Sequence, residues 1–200
     1  MVQVGLLSLA FGKLGLSTGS GFLLLGASLF GSAVNFPVAR IQSESADPVP
    51  VPPHLRGLLR QSRIPFTGET VIAVNLGGCL IPLAFSLYLL GTHPLPGSQV
   101  LVATALVSLV AYAFSRPVPG LGIAMPILIA PLAAALAALG INAAQAPPLA
   151  YISGTLGVLI GADLLHMKDI RRLGTPIASI GGAGTFDGIF MTGIVAVLLT

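Results

Sequence analysis

The stretch of sequence that decides the fold is residues 117–162, PVPGLGIAMPILIAPLAAALAALGINAAQAPPLAYISGTLGVLIGA, which contains no Asp, Glu, Lys or Arg. A helix of about 20 apolar residues crosses the roughly 30 Å hydrocarbon core of a bilayer. This stretch is long enough for two such helices, and the Ala146-Pro147-Pro148 run would interrupt a single one. The sequence therefore predicts membrane-spanning helices over residues 123–141 and 149–167.

The rest of the chain is also strongly apolar. Only 8% of its residues are charged, whereas a soluble domain carries roughly 25%. A bilayer, unlike water, accepts apolar side chains on the outside of a protein. Further apolar stretches of similar length are residues 15–38, 71–90, 99–115 and 176–200, of which the first three contain no charged residue. We therefore predict an all-α fold: a single membrane domain, residues 1–200, formed by a polytopic bundle of about six transmembrane helices in the cell membrane.

The basic residues predict an orientation for these helices. Lys and Arg favour the cytoplasmic loops of membrane proteins. Eight of them fall between spans one and two, three and four, or five and six: Arg40, Arg56, Arg60, Arg63, Arg116, Lys168, Arg171 and Arg172. Only Lys13 lies on the opposite side, and the connections near His93 and Gln145 contain no Lys or Arg. This distribution predicts that both termini face outward.

The first cytoplasmic loop, residues 39–69, begins with a Pro-rich stretch over residues 47–53, which we expect to be extended. Leu55, Leu58 and Leu59 then repeat at helical spacing, which indicates either a short helix on an anionic leaflet or a solvated loop. Membrane lipids are therefore the expected partners. The basic residues are too few and scattered for a nucleic-acid surface, and the oligomeric state is left open.

Two of the six acidic residues, Asp163 and Asp187, fall inside predicted spans. A charged side chain near the bilayer centre costs roughly 2.5–3.5 kcal/mol on insertion scales, so such residues are functional candidates. His166 follows Asp163 at helical spacing, and the two side chains are expected to form a hydrogen-bonded pair or part of a proton or metal site. Two ligands do not fix a metal, so we predict no cofactor.

The last predicted span is broken by glycines. Gly181, Gly182 and Gly184 follow too few residues for a complete helix, so we expect a half-helix, a break and a second helix. Backbone that leaves helical geometry at membrane depth must be buried in protein or line a wet cavity. The break therefore predicts a cavity, and it would bring Asp187 towards Asp163.

Small residues around Asp187 favour close packing of the last two spans, since Gly184 and Gly188 leave room for a neighbouring helix. Two carboxyl groups in one low-dielectric site cannot both ionise, so they would share a proton. Such a pair can activate a water molecule against an amide and protonate the leaving group. Asn75 is expected either to donate a hydrogen bond in the same cavity or to make a helix–helix contact.

Three segments carry a resemblance to known families: residues 70–78 (TVIAVNLGG), 161–166 (GADLLH) and 181–190 (GGAGTFDGIF). With them the chain resembles an uncharacterised family of prokaryotic integral membrane proteins, a domain of unknown function, which implies no activity. The order of Asp163 and Asp187 is also similar to that in intramembrane aspartyl proteases of the presenilin and signal-peptide-peptidase type. Those proteases carry Tyr-Asp and Gly-x-Gly-Asp motifs, whereas this chain has Ala162-Asp163 and Gly184-Thr185-Phe186-Asp187.

These observations leave three functions open. The first is an intramembrane aspartyl-type hydrolase, in which Asp163 and Asp187 alternate as general base and general acid on a membrane-spanning peptide. The second is a proton- or cation-coupled transporter or channel that uses the same aspartates. The third is a non-catalytic membrane assembly protein. In that case Asp187 would begin a half-helix, and Asp163 would pair with Lys168 or Arg172 near the headgroups.

Overall fold

A computed structural model describes residues 2–44, 67–118, 122–182 and 188–200. The Pro-rich stretch and the helix predicted after it, together with Gly184 and Asp187, lie outside these ranges. Seven α-helices are described: α1 (Val2–Lys13), α2 (Thr18–Gly31), α3 (Ile81–Thr92), α4 (Gly97–Phe114), α5 (Ile129–Asn142), α6 (Ala146–Val158) and α7 (Gly188–Leu199). The five described strands are β1 (Asn35–Gln42), β2 (Glu69–Asn75), β3 (Arg116–Val118), β4 (Gly122–Ala124) and β5 (Ile177–Ile180).

Shorter helical segments extend or join these helices. A π-helical segment, Leu76–Leu80, leads directly into α3, and a second, Leu159–Leu164, continues α6. Two 3₁₀ turns are formed by Ala143–Gln145, between α5 and α6, and by Asp169–Arg172.

The prediction of an all-α fold is wrong, because the protein is a mixed α/β structure with two sheets. In the three-stranded sheet β2 is central: β1 pairs with it antiparallel and β5 pairs with it parallel. β3 and β4 form a separate antiparallel pair. The central strand contains Thr70, Val71 and Ile72, whose β-branched side chains favour extended backbone.

The prediction of about six transmembrane helices is also wrong. Within the described ranges two helical stretches are long and apolar enough to cross a membrane, Gly97–Phe114 and Ile129–Leu164. A third is present if α1 and α2, which meet at 102°, count as one bent span. Each of the apolar stretches 15–38, 71–90 and 176–200 contains all or part of a strand, which shortens the helix that remains. These apolar helices indicate association with a membrane.

The longer of the two stretches reverses direction at the turn between α5 and α6. Asn142 leaves helical geometry there, with φ −154° and ψ 86°. A Cβ atom on Gly154 of α6 would lie 3.3 Å from the Cβ atom of Ala134 in α5. Residues twenty positions apart on a continuous helix would be separated by about 30 Å. The two helices therefore pack side by side as a hairpin.

Helix α6 is the centre of the helical core, since all of its residues except Pro147 and Leu156 are buried. Glycines on this helix admit its neighbours at short range: a Cβ atom on Gly157 would lie 2.6 Å from the Cβ atom of Val107 in α4. The Tyr151 ring packs edge-on against Phe85 of α3, with ring centroids 4.9 Å apart. Because real Cβ contacts are longer than 2.6 Å, α4 and α6 can pack this closely only where one lacks a side chain.

The last apolar segment begins as a strand and not as the predicted half-helix. Residues 177–180 pair with β2 over Val71–Val74. Only a few residues separate Pro176 from the glycines, and an isolated helix of one turn is unstable because its nucleation is costly. The edge of β2 offers the same residues backbone hydrogen bonds, so the strand is favoured.

After β5 the chain turns at Gly181, which rests on the turn that follows β2. Gly181 has a φ of +76°, and a Cβ atom there would lie 2.6 Å from the carbonyl carbon of Gly78. Gly77, in turn, packs against the backbone of α2 at Ser28, whose Oγ donates a hydrogen bond of 2.7 Å to the Gly77 carbonyl. Glycines therefore allow α2, the segment before α3 and the turn after β5 to meet.

We expect Gly181→Ala to destabilise the protein. A non-glycine residue in the left-handed region costs about 1–3 kcal/mol, and here the added methyl group also overlaps the Gly78–Cys79 backbone. Thermal unfolding in detergent measures the loss. Gly140→Ala is the control, because no atom lies within 4 Å of a Cβ at that helical position, and we expect equal or slightly higher stability. Equal unfolding temperatures for both variants would contradict the packing described here.

Candidate functional site

Asp163 lies in the π-helical segment that ends α6. This segment, Leu159–Leu164, continues in the hydrogen bond from the Leu165 N–H to the Ile160 carbonyl, 2.9 Å long and five residues apart. Such π-helical turns are rare and occur frequently at functional sites. The extra residue in the turn changes the direction in which the following side chains point relative to a regular helix.

The carboxyl group of Asp163 connects α6 to the turn after β5. Its Oδ2 accepts a hydrogen bond of 2.7 Å from the backbone N–H of Gly181. The side chain is half-buried. Because Gly181 is itself held against Gly78, the acceptor and the donor belong to parts of the fold that are tightly packed. The orientation of the Asp163 carboxyl group is therefore set by the core.

A cavity of about 300 Å³ opens beside Asp163. One wall is formed by β4 and Met125, and another by Ile170, Leu173 and β5. Gly182, directly after the turn, also lines it. Among the described residues around this cavity, Asp163 alone carries a charged side chain. The sequence-based expectation of a cavity at the glycine break thus corresponds to a feature of the fold, although its walls are mainly strands.

Asp187, the second predicted catalytic residue, and Gly184 lie outside the described residues. The residues on either side are described: Gly182 lines the cavity, and Gly188 begins α7. The separation of the two carboxyl groups therefore remains a prediction.

His166 is buried, with 6% of its surface exposed. Its Nδ1 lies 3.1 Å from the Gly161 carbonyl oxygen, and its ring centroid lies 4.7 Å from that of Tyr112 in α4. These contacts attach the end of α6 to α4. Within the described ranges, no three His, Cys, Asp or Glu side chains lie close enough together to hold a metal ion.

Asn75 joins three elements at the end of β2. Its Nδ2 donates to the Ser32 carbonyl at 2.8 Å and to the Asn35 Oδ1 at 3.0 Å, while its Oδ1 accepts from the Gly78 N–H at 2.8 Å. The last bond caps the segment before α3. Asn35 also accepts a hydrogen bond from Ser179 Oγ of β5. Asn75 thus supports the strand that lines the cavity.

Several residues around the cavity are not apparent from the sequence. Ser179 and Ala178 belong to a four-residue strand, too short to produce a recognisable alternation. The wall over residues 122–125 follows a Pro-Val-Pro-Gly run at residues 117–120, which is typical of a turn between strands. That run was the available signal for the β3–β4 pair.

Comparison with known proteins gives one match. Residues 29–199 match the profile of a family described as Protein of unknown function (DUF1614). No curated protein and no solved structure matches the chain. The matched range contains every residue of the candidate site and leaves out α1 and most of α2. None of these comparisons supports the similarity to intramembrane aspartyl proteases.

The hydrogen bond between Asp163 and Gly181 predicts different effects for two substitutions. Asp163→Asn keeps an acceptor oxygen, so we expect a loss of about 1 kcal/mol or less in the free energy of unfolding. Asp163→Leu leaves the Gly181 N–H without this acceptor, which costs about 1–3 kcal/mol. Chemical unfolding in detergent micelles measures both. Equal stability of the two variants would show that this bond contributes nothing to folding.

Proposed function

Since the chain belongs to the DUF1614 family, whose description assigns no activity, we propose a function from the site itself: an aspartyl-type intramembrane hydrolase that cleaves peptide bonds. The observation that carries this proposal is the Asp163 carboxyl group in the wall of a largely apolar cavity, oriented by the Gly181 N–H. A carboxyl group in a largely apolar wall has a desolvation cost, which makes such a residue a functional candidate.

Asp187 is the proposed partner of Asp163. Gly182 lines the cavity and precedes Asp187 by five residues, and five residues of extended chain span at most about 18 Å. Gly188, the next residue, begins α7. Covalent geometry therefore sets an upper limit of about 18 Å between the Cα atoms of Gly182 and Asp187, which is compatible with a role for both carboxyl groups in one site.

The proposed reaction is hydrolysis of an amide. One carboxylate accepts a proton from a water molecule whose oxygen attacks the peptide carbonyl carbon. The other carboxyl group, protonated, donates its proton to the amide nitrogen as the C–N bond breaks. The products are a carboxylic acid and an amine, and one proton transfer between the two carboxyl groups restores the starting state. The largely apolar walls lower the local dielectric constant, which strengthens the electrostatic interactions of the pair.

We also propose that the protein crosses the membrane more than once, with its sheets at the cytoplasmic end. The Glu44 N–H bonds to the Arg171 carbonyl at 2.8 Å, which joins the end of β1 to the 3₁₀ turn that carries Arg171 and Arg172. Lys13, the exception in the charge pattern, lies near Val197 at the far end of α7, with its Nζ 3.4 Å from the carbonyl oxygen. This separation of basic residues supports the orientation.

The test is cleavage of a membrane-spanning reporter peptide by the purified protein in liposomes. We expect the wild type to cleave the peptide and to incorporate one ¹⁸O atom from labelled water into the new carboxyl group. Asp163→Asn and Asp187→Asn should each lower the rate at least about 100-fold, the lower bound of what general acid–base catalysis contributes.

The control for this test is Glu69→Gln. It makes the same carboxyl-to-amide change at an exposed position at the start of β2, away from the cavity, and should leave the rate unchanged. Retained cleavage in either Asp variant would overturn the proposal.

A proton- or cation-coupled transporter or channel is the second candidate. The observation that favours it is the pair of neighbouring parallel strands, β2 and β5, which both lead through a glycine pair towards a short apolar helix. Interrupted segments of this kind form ion sites in transporters. Flux driven by a pH gradient, lost in Asp163→Asn and accompanied by no cleavage in the wild type, would favour transport. Normal behaviour of both Asp variants would favour an assembly role.

A further inference from the structure

The cavity beside Asp163 offers an occupant mainly alkyl groups. Ile123 and Met125 lie on one wall, and Ile170, Leu173 and Ile180 lie on the other. The Ser179 hydroxyl is already bonded to Asn35, and the Thr175 Oγ1 is buried from solvent. An acidic side chain entering this space would lose its hydration without gaining a counter-charge. A basic one would meet only the Asp163 carboxyl group, whose Oδ2 already accepts the Gly181 N–H. An apolar side chain would be favoured by the removal of its surface from water.

The cavity depends on two small residues on the strands that line it, because their short side chains leave the space open. Ala124 belongs to β4 and Ala178 to β5, and both contribute to the walls. The volume of about 300 Å³ is at the lower end of the range for small-ligand sites, which is about 300–1,000 Å³. A larger side chain at either alanine would occupy space that a ligand needs.

We infer that this cavity is the specificity pocket of the enzyme, and that it receives one large apolar side chain of the peptide, such as Leu, Met or Phe, next to the bond that is cleaved. The inference rests on the proposed function. The Asp163 carboxyl group in the same wall puts a reacting group beside the bound side chain. A lipid acyl chain fits less well, because such a chain extends through about half of the roughly 30 Å hydrocarbon core.

Ala178→Leu tests the inference through substrate preference. We expect kcat/KM for a reporter peptide with Leu or Phe next to the cleaved bond to fall by at least about 10- to 200-fold, the range that a single methylene group is worth in an apolar pocket. The same peptide with Ala at that position should change less than about two-fold. Ala144→Leu, an exposed alanine in the turn between α5 and α6, is the control and should change neither rate.

A uniform loss for both peptides, or no loss for either, would overturn the inference. Ala124→Leu narrows the same cavity from β4 and should give the same change in preference if Ala178→Leu does not fold. Ala124 is exposed, so a larger side chain there is expected to disturb folding less than one at Ala178.

Binding separates this inference from the proposed function. In lipid nanodiscs, N-acetyl-leucine amide should raise the unfolding temperature of the wild type, and N-acetyl-lysine amide should not. Ala178→Leu should abolish the effect. If these binding results hold but the wild type cleaves no peptide, the hydrolase proposal fails and an apolar-ligand pocket remains. Stabilisation by palmitate but not by the leucine amide would overturn the peptide assignment in favour of a lipid.

Discussion

The rest of the structure depends on the contact between two glycine turns, one after β2 and one after β5. Gly181 takes a left-handed conformation directly on the backbone of Gly78 and Cys79, an approach that only a residue without a side chain permits. The contact sets how the last strand sits against the segment that follows β2. It also aims the Gly181 N–H at Asp163, so the packing of the fold and the geometry of the candidate site have the same origin.

Around this contact, polar side chains connect the elements by hydrogen bonds, and the apolar helices form most of the core. Asn75 uses its amide to connect β2, the end of α2 and the start of β1. Each of these hydrogen bonds satisfies a group that would otherwise be costly in an apolar setting. The glycines of α6 let α4 approach at short range, and this close packing gives the central helix a rigid position. The π-helical segment at its end can then present Asp163 away from the helical core.

The sequence predicts part of this architecture, and the reasons for the failures are physical. The uncharged stretch at 99–115 corresponds to α4, and the Pro-containing break at Ala146 corresponds to the start of α6. The stretches at 71–90 and 176–200 are also strongly apolar, and Asp187 is the one charged residue in them, but each begins as a strand. A short apolar run has the same hydropathy whether it forms a buried strand or half of a helix. The strand is favoured here by pairing with a segment that is distant in the chain, and the local sequence does not show that pairing. β2 and β5 are such a pair.

In the candidate site, too, some residues are recognisable from the local sequence and others only from the tertiary structure. Asp163 and the glycines stand out in the sequence because a carboxyl group and a chain break are both unusual in an apolar segment. The contact of His166 with Gly161 was not foreseen, because the helical spacing assumed a regular α-helix where the structure has a π-helical turn. Ala178 and Ser179 carry no local signal, and their place in the cavity wall appears only once β5 has paired with β2.

The parallel pairing of β2 with β5 also dictates an order of biogenesis. The two strands are separated by about a hundred residues, and the ribosome delivers the segment from α3 to α6 first. At that stage β2 has one edge unpaired and Asp163 lacks its Gly181 donor. The candidate site is completed only when the later strand has been synthesised and has paired. A nascent chain therefore carries an incomplete site until nearly all of its residues have been added.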